Sequence, residues 1–80
     1  MNKLLYFGAE WCGPCKEYKP TLDQLDQERV TRYDIDIDFE ERSKYDIRGV
    51  PTLIIVNENG EELERFLGGA PIEELQKSLG

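Results

Sequence analysis

Histidine is missing from this sequence altogether. Its absence removes every cysteine–histidine nucleophile–base pair and most ways of assembling a zinc site. Cysteine is nearly missing too: there are 2, at positions 12 and 15, a spacing that in a short cytosolic chain reads first as a reversible dithiol. Cations are the minority charge, with 10 Lys and Arg against 17 Asp and Glu and a formal net charge of -7. A surface of that sign is unsuited to nucleic acid or to anionic membranes, which both require clustered cations. There is no leading signal-peptide pattern and no long apolar span, so the protein is expected to stay in the cytoplasm. Thiols are kept reduced there, which disfavours a static structural disulfide. Internal repeats, low-complexity tracts and linkers are also lacking. What remains, 39% hydrophobic and 34% charged residues over 80 positions, suits one domain, residues 1–80, with one modest core.

The chain is organised around Trp11-Cys12-Gly13-Pro14-Cys15. Residues 3 to 8 before it run apolar without alternating, which predicts a strand buried on both faces. Pro14 suits the first turn of a helix, where its missing N–H costs nothing. Cys15, Tyr18, Leu22 and Leu25 then recur at three- and four-residue steps and give that helix one apolar face. Pro20 falls inside it and removes one backbone bond, so a bend near Lys16 is expected. Thr31 to Ile35 reads as a second strand, with Tyr33, Ile35 and Ile37 alternating against charged residues. Asp38 and Glu41 resemble a capping box for a short helix over residues 39–46, with Gly49 at its exit. Thr52 to Asn57 is the strongest strand signal. Asn57-Glu58-Asn59-Gly60 reads as a hairpin turn, and Glu62 to Leu67 as the returning strand. Gly68-Gly69 ends that strand, Pro71 opens a last helix, and Ile72, Leu75 and Leu79 form its buried stripe. The order β-α-β-α-β-β-α predicts an α/β fold: a four-stranded mixed sheet flanked by three helices, the first two strands parallel and the last two antiparallel. Cys12 lies just past the first strand, where ligand chemistry collects in open α/β sheets.

Residues three apart on a helix share a face at about 5 Å, within the span of a disulfide. Cys12, at the helix mouth, meets unpaired N–H groups and the positive end of the dipole, which stabilise a thiolate and lower its pKa below the usual ~8.5. Cys15 is one turn in and is expected to be more buried. Cys12 is therefore read as the nucleophile and Cys15 as the resolving thiol of a thiol–disulfide exchange. Three duller readings compete. As a structural staple, so short a loop stabilises by only about 2 kcal/mol. As a zinc site, two thiolates without histidine leave half the ligands missing, so no metal is expected. As a pair of inert core cysteines, their place at a helix start is unexplained.

Ala9-Glu10-Trp11-Cys12-Gly13-Pro14-Cys15-Lys16 resembles the active-site signature of the thioredoxin family, and Pro20 resembles the kink proline of that family's helix. Tyr45-Asp46-Ile47-Arg48-Gly49-Val50-Pro51-Thr52 resembles its cis-proline segment, and Gly68 the glycine after its last strand. The likeness covers nearly the whole chain, and the length is similar to that of the short members of phages and some microbes. The resemblance implies a thioredoxin-like fold and a cis Pro51 packed on the cysteines. It also implies a docking surface of Trp11, Gly13, Pro14, Val50, Pro51 and Gly68, with the Val50 backbone pairing to a bound client strand. Two positions depart from the pattern. Tyr6 stands where the family has a buried Asp thought to relay a proton to the resolving thiol, and Arg32 stands for its buried Lys. Arg neither delivers nor accepts a proton. Cys15 should then deprotonate with less internal help, through water or Tyr6, and Tyr6→Asp should speed resolution near neutral pH.

The reading is a protein-disulfide reductase and electron carrier, a monomer needing no cofactor beyond the Cys12–Cys15 pair. Disulfide-containing client proteins, of which ribonucleotide reductase is an example, and a thioredoxin-reductase-like flavoenzyme are the implied partners. A glutaredoxin-type reductase recharged by glutathione is the alternative; the length fits, but Gly13-Pro14 and the lack of an obvious cationic clamp do not. A non-catalytic module binding through Trp11, Val50 and Gly68 is the other.

Overall fold

The computed structural model describes residues 1–80. The strands are β1 (Lys3–Gly8), β2 (Val30–Asp34), β3 (Thr52–Val56) and β4 (Glu62–Leu67), and the helices α1 (Gly13–Asp23), α2 (Phe39–Lys44) and α3 (Ile72–Leu79). A short 3-10 turn, Gln27–Arg29, leads into β2. The sheet order is β2-β1-β3-β4. β1 runs parallel to β2 and antiparallel to β3, and β3 is antiparallel to β4. Both central strands are buried on both faces, as their unbroken apolar runs require. Leu5, Phe7, Ile54 and Val56 face one layer with Ile35 and Ile47, and the two cysteines sit at its edge. Leu4, Leu53 and Ile55 face the other layer, against Leu22 and Leu25 and against Leu75 and Leu79 of α3. Each fully buried side chain of this size contributes about 1.5–3 kcal/mol. No helix is long and apolar enough to cross a membrane.

The elements match the sequence reading, with local corrections. β2 stops at Asp34 because the chain turns there: Ile37 and Asp38 donate their N–H groups to the Asp34 carbonyl at 3.0 and 2.7 Å. Ile37 is therefore exposed in a turn rather than alternating in a strand. The capping box does not form. Asp38 makes no cap hydrogen bond to α2, because its Oδ2 accepts the Asp34 N–H at 2.8 Å and ties the end of β2 instead. The chain leaves α2 through Asp46, at φ 51, which tolerates the left-handed region better than most residues; Gly49 is not the exit. Leu25 lies beyond the end of α1 yet remains buried.

Candidate active site

Gly8 ends β1, and the Cys12 N–H donates to the Ala9 carbonyl at 3.2 Å to close the loop into α1. Cys12 is the N-cap residue, extended at φ -87 and ψ 109, with Pro14 in the first turn behind it. Its Sγ accepts the Cys15 N–H at 3.2 Å. A sulfur thus takes the place that a Ser or Asp oxygen usually fills at a helix start, and one of the orphan N–H donors is aimed at it. Cys12 and Cys15 are joined as a disulfide, with Cα atoms 5.2 Å apart, so the pair is in its oxidised form. Each residue is 4% exposed, so Cys15 is not the more buried of the two. In the bonded pair each sulfur covers the other. Their surroundings do differ: Cys12 faces the helix mouth, and Cys15 lines a pocket behind α1 with Tyr6 and Arg32.

The structure brings Val50, Pro51 and Gly68 together. The Val50–Pro51 bond is cis, and the Gly68 N–H donates to the Pro51 carbonyl at 2.9 Å. These three residues line a pocket of about 310 Å³ with Arg48, Arg65 and Leu67. Trp11 and Pro14 do not line it. Trp11 is 67% exposed, and its indole N–H donates to Asp36 Oδ2 at 2.8 Å. It is therefore a surface residue held at a fixed angle, not a core filler. Arg65 closes the far wall. It donates to the Tyr45 carbonyl at 2.7 Å and to both Glu62 oxygens at 2.8 and 2.9 Å. That hydrogen bonding holds the Glu62 carboxyl below the ordinary range and raises the guanidinium.

Asp36, Arg65 and Leu67 were not among the residues the sequence singled out. Leu67, 74% exposed, carried one usable signal: it is the apolar residue immediately before Gly68. Asp36 and Arg65 carried none, because charged residues recur throughout this chain. Arg32 is not buried. It sits on edge strand β2, paired with Asp23 at 2.8 Å and with Gln27 at 2.8 Å. Tyr6 lies beside it in register across β1 and β2. Burial pushes the Tyr6 phenol above its ordinary value, and the Arg32 charge offsets part of that rise. No group of three or more His, Cys, Asp or Glu is arranged to hold a metal ion.

The family model that matches this chain is Thioredoxin, over residues 1–80. Thioredoxin of Bacillus subtilis is 40% identical over 76 residues, which are 89% of this chain and 72% of that protein. Thioredoxin of Chlamydia trachomatis is 44% identical over 69 residues, 81% of this chain and 67% of that one. Among solved structures, a single-substitution mutant thioredoxin from Halobacterium salinarum superposes with a TM-score of 0.85 at 32% identity, covering 98% of this chain and 71% of the other. Fasciola hepatica thioredoxin gives 0.82 at 29%, covering 98% and 77%. With a bonded Cys-Gly-Pro-Cys pair at the mouth of α1 and a fold shared with these proteins, the chain belongs to the thioredoxin family and is a thiol–disulfide oxidoreductase that reduces protein disulfides.

Proposed function

We propose that Cys12 is the attacking thiol and Cys15 the resolving one, within a single domain working as a monomer in the cytoplasm. The observation that carries this assignment is the Cys15 N–H aimed at Cys12 Sγ. A donor at a helix mouth stabilises a thiolate formed there, and it is the thiolate that attacks a disulfide. Cys12 attacks the client's disulfide and a mixed disulfide forms. Cys15 then attacks Cys12, and the client leaves reduced. Trp11, Gly13, Pro14, Val50, Pro51 and Gly68 are the client's docking surface. Two features support this. The backbone N–H and C=O of Val50 have no partner within the protein, as strand addition requires. Trp11 and Leu67 are large, apolar and exposed. A flavoenzyme of the thioredoxin-reductase kind regenerates the dithiol.

The test is a trap. With Cys15→Ser, a client disulfide should remain covalently attached to Cys12, visible as a reducible adduct by mass spectrometry. If Cys12→Ser accumulates the adduct instead, the roles are reversed. Turnover coupled to thioredoxin reductase, against turnover coupled to glutathione, identifies the reductant.

A further inference from the structure

Cys15 faces a pocket of about 140 Å³ whose other ionisable lining groups are Tyr6, Lys16, Lys19 and Arg32. No carboxylate lines it. Asp23 of α1 is paired with Arg32 at 2.8 Å. Glu10 and Asp34 line an adjoining pocket, which shares Tyr6, Ala9 and Arg32 with this one. The Tyr6 hydroxyl lies over Gly8, close enough that a Cβ at that position would overlap it. The missing side chain at Gly8 is what lets the ring lie along the strand toward the active-site end. That hydroxyl has no hydrogen-bond partner in the protein and is not sealed from solvent. The space is large enough for several water molecules, and both lysines on its rim are exposed.

On the reading that Cys15 resolves the mixed disulfide, we propose that it loses its proton to water in this pocket and that Tyr6, Lys16, Lys19 and Arg32 hold the resulting thiolate. Electrostatic stabilisation thereby replaces an internal carboxylate base. The Cys15 thiol releases H⁺ through the pocket to bulk solvent. Its thiolate attacks Cys12 Sγ, the Cys12–Cys15 bond forms, and the bond from Cys12 to the client sulfur breaks. The client sulfur departs with the electron pair and takes a proton from solvent. Across the whole exchange the dithiol loses two electrons and the client disulfide gains them. The Tyr6 phenol, raised by burial, stays protonated at neutral pH, so it acts as a donor to the thiolate and not as its base. Lys16, Lys19 and Arg32 are positioning residues that act through charge, and Asp23 cancels part of the Arg32 contribution.

Stopped-flow mixing of the reduced protein with 5,5′-dithiobis(2-nitrobenzoate) tests this. Thionitrobenzoate should be released in two phases: attack by Cys12, then a concentration-independent release as Cys15 resolves the adduct. The readout is the pH midpoint of the second phase between pH 5 and 10. In Lys16→Gln/Lys19→Gln the midpoint should move up and the rate at neutral pH should fall by about fivefold, an effect of the size two nearby charges exert in a wet pocket. Added salt should slow the second phase in the parent and have little effect in that variant. Tyr6→Phe should move the midpoint in the same direction, and Lys16→Arg/Lys19→Arg should restore it. Superimposable second-phase profiles in all variants overturn the proposal. A second phase that is absent from the parent, or that survives Cys15→Ser, instead refutes the resolving role of Cys15 itself.

Discussion

Removal of a single oxygen from Tyr18 should unfasten the turn that carries Gly68 of the docking surface. The Tyr18 hydroxyl, reaching from α1, accepts the Ala70 N–H at 3.1 Å and donates to the Ala70 carbonyl. Its ring packs on Gly69, where a Cβ would lie 2.8 Å from Cε1. The neighbouring residue, Gly68, is bonded to Pro51 at 2.9 Å. Tyr18→Phe keeps the ring and removes both hydrogen bonds, leaving two part-buried backbone groups without their partner. Each such loss costs about 1 kcal/mol net, more where water cannot replace the partner. We expect about 2 kcal/mol in all, which for a chain of this size lowers Tm by about 8–16 °C. Thermal unfolding followed by circular dichroism, on oxidised and reduced protein alike, measures it. Because the turn holds Gly68 against Pro51, KM for a protein disulfide should rise more than kcat falls. A Tyr18→Phe protein within about 0.3 kcal/mol of the parent would refute the reasoning, since the two bonds would then be no better than those made with water.

The glycines offer a paired comparison. Gly69→Ala, at φ 103 and with Tyr18 in the way, should destabilise by about 2 kcal/mol or more. Gly49→Ala, with nothing within 4 Å of the new carbon, should be near neutral when both variants are unfolded in urea. Leu53→Ala, which removes a fully buried side chain of β3, should cost about 2–5 kcal/mol in urea unfolding. Alkaline pH should destabilise the fold. Tyr6, Tyr18 and Tyr33 are all raised by burial above the ordinary 10.0. Their contribution is thus complete below pH 10 and is lost as pH rises through the folded-state values; urea midpoints measured at pH 8 and pH 11 check the sign. Asp36→Leu frees the Trp11 indole and should lower kcat/KM for a protein disulfide several-fold while leaving the thermal midpoint nearly unchanged.

Much of the molecule could be read from short-range chemistry. An unbroken apolar run at Leu53-Ile54-Ile55-Val56 has one way to be buried, as a central strand. The Asn57 to Gly60 turn encodes itself: the Asn57 side chain accepts the Asn59 and Glu61 N–H groups at 2.9 and 3.0 Å, and Gly60 takes φ 81. Cys12 and Cys15 were legible because their spacing and the following Gly-Pro set a helix start, and helix geometry alone then brings the sulfurs together. The errors came where a side chain had a choice of partner. Asp38 has equal chemistry toward its own helix and toward the Asp34 N–H, and only the path of β2 made the second one nearer.

What the residues determine unaided is therefore local: the element order, the helix mouth and the dithiol held there, each set by contacts a few positions apart. The tertiary structure alone decided which distant groups meet. Asp36 fixes Trp11 from 25 residues away, Arg65 reaches Tyr45 across 20, and Tyr6 and Arg32 form one wall of the pocket behind Cys15 because β1 and β2 pair in parallel at that register. Such contacts depend on how sheet and helices close on one another. Charged and polar residues recur throughout the chain, so nothing in their order marks which of them that closure will bring together.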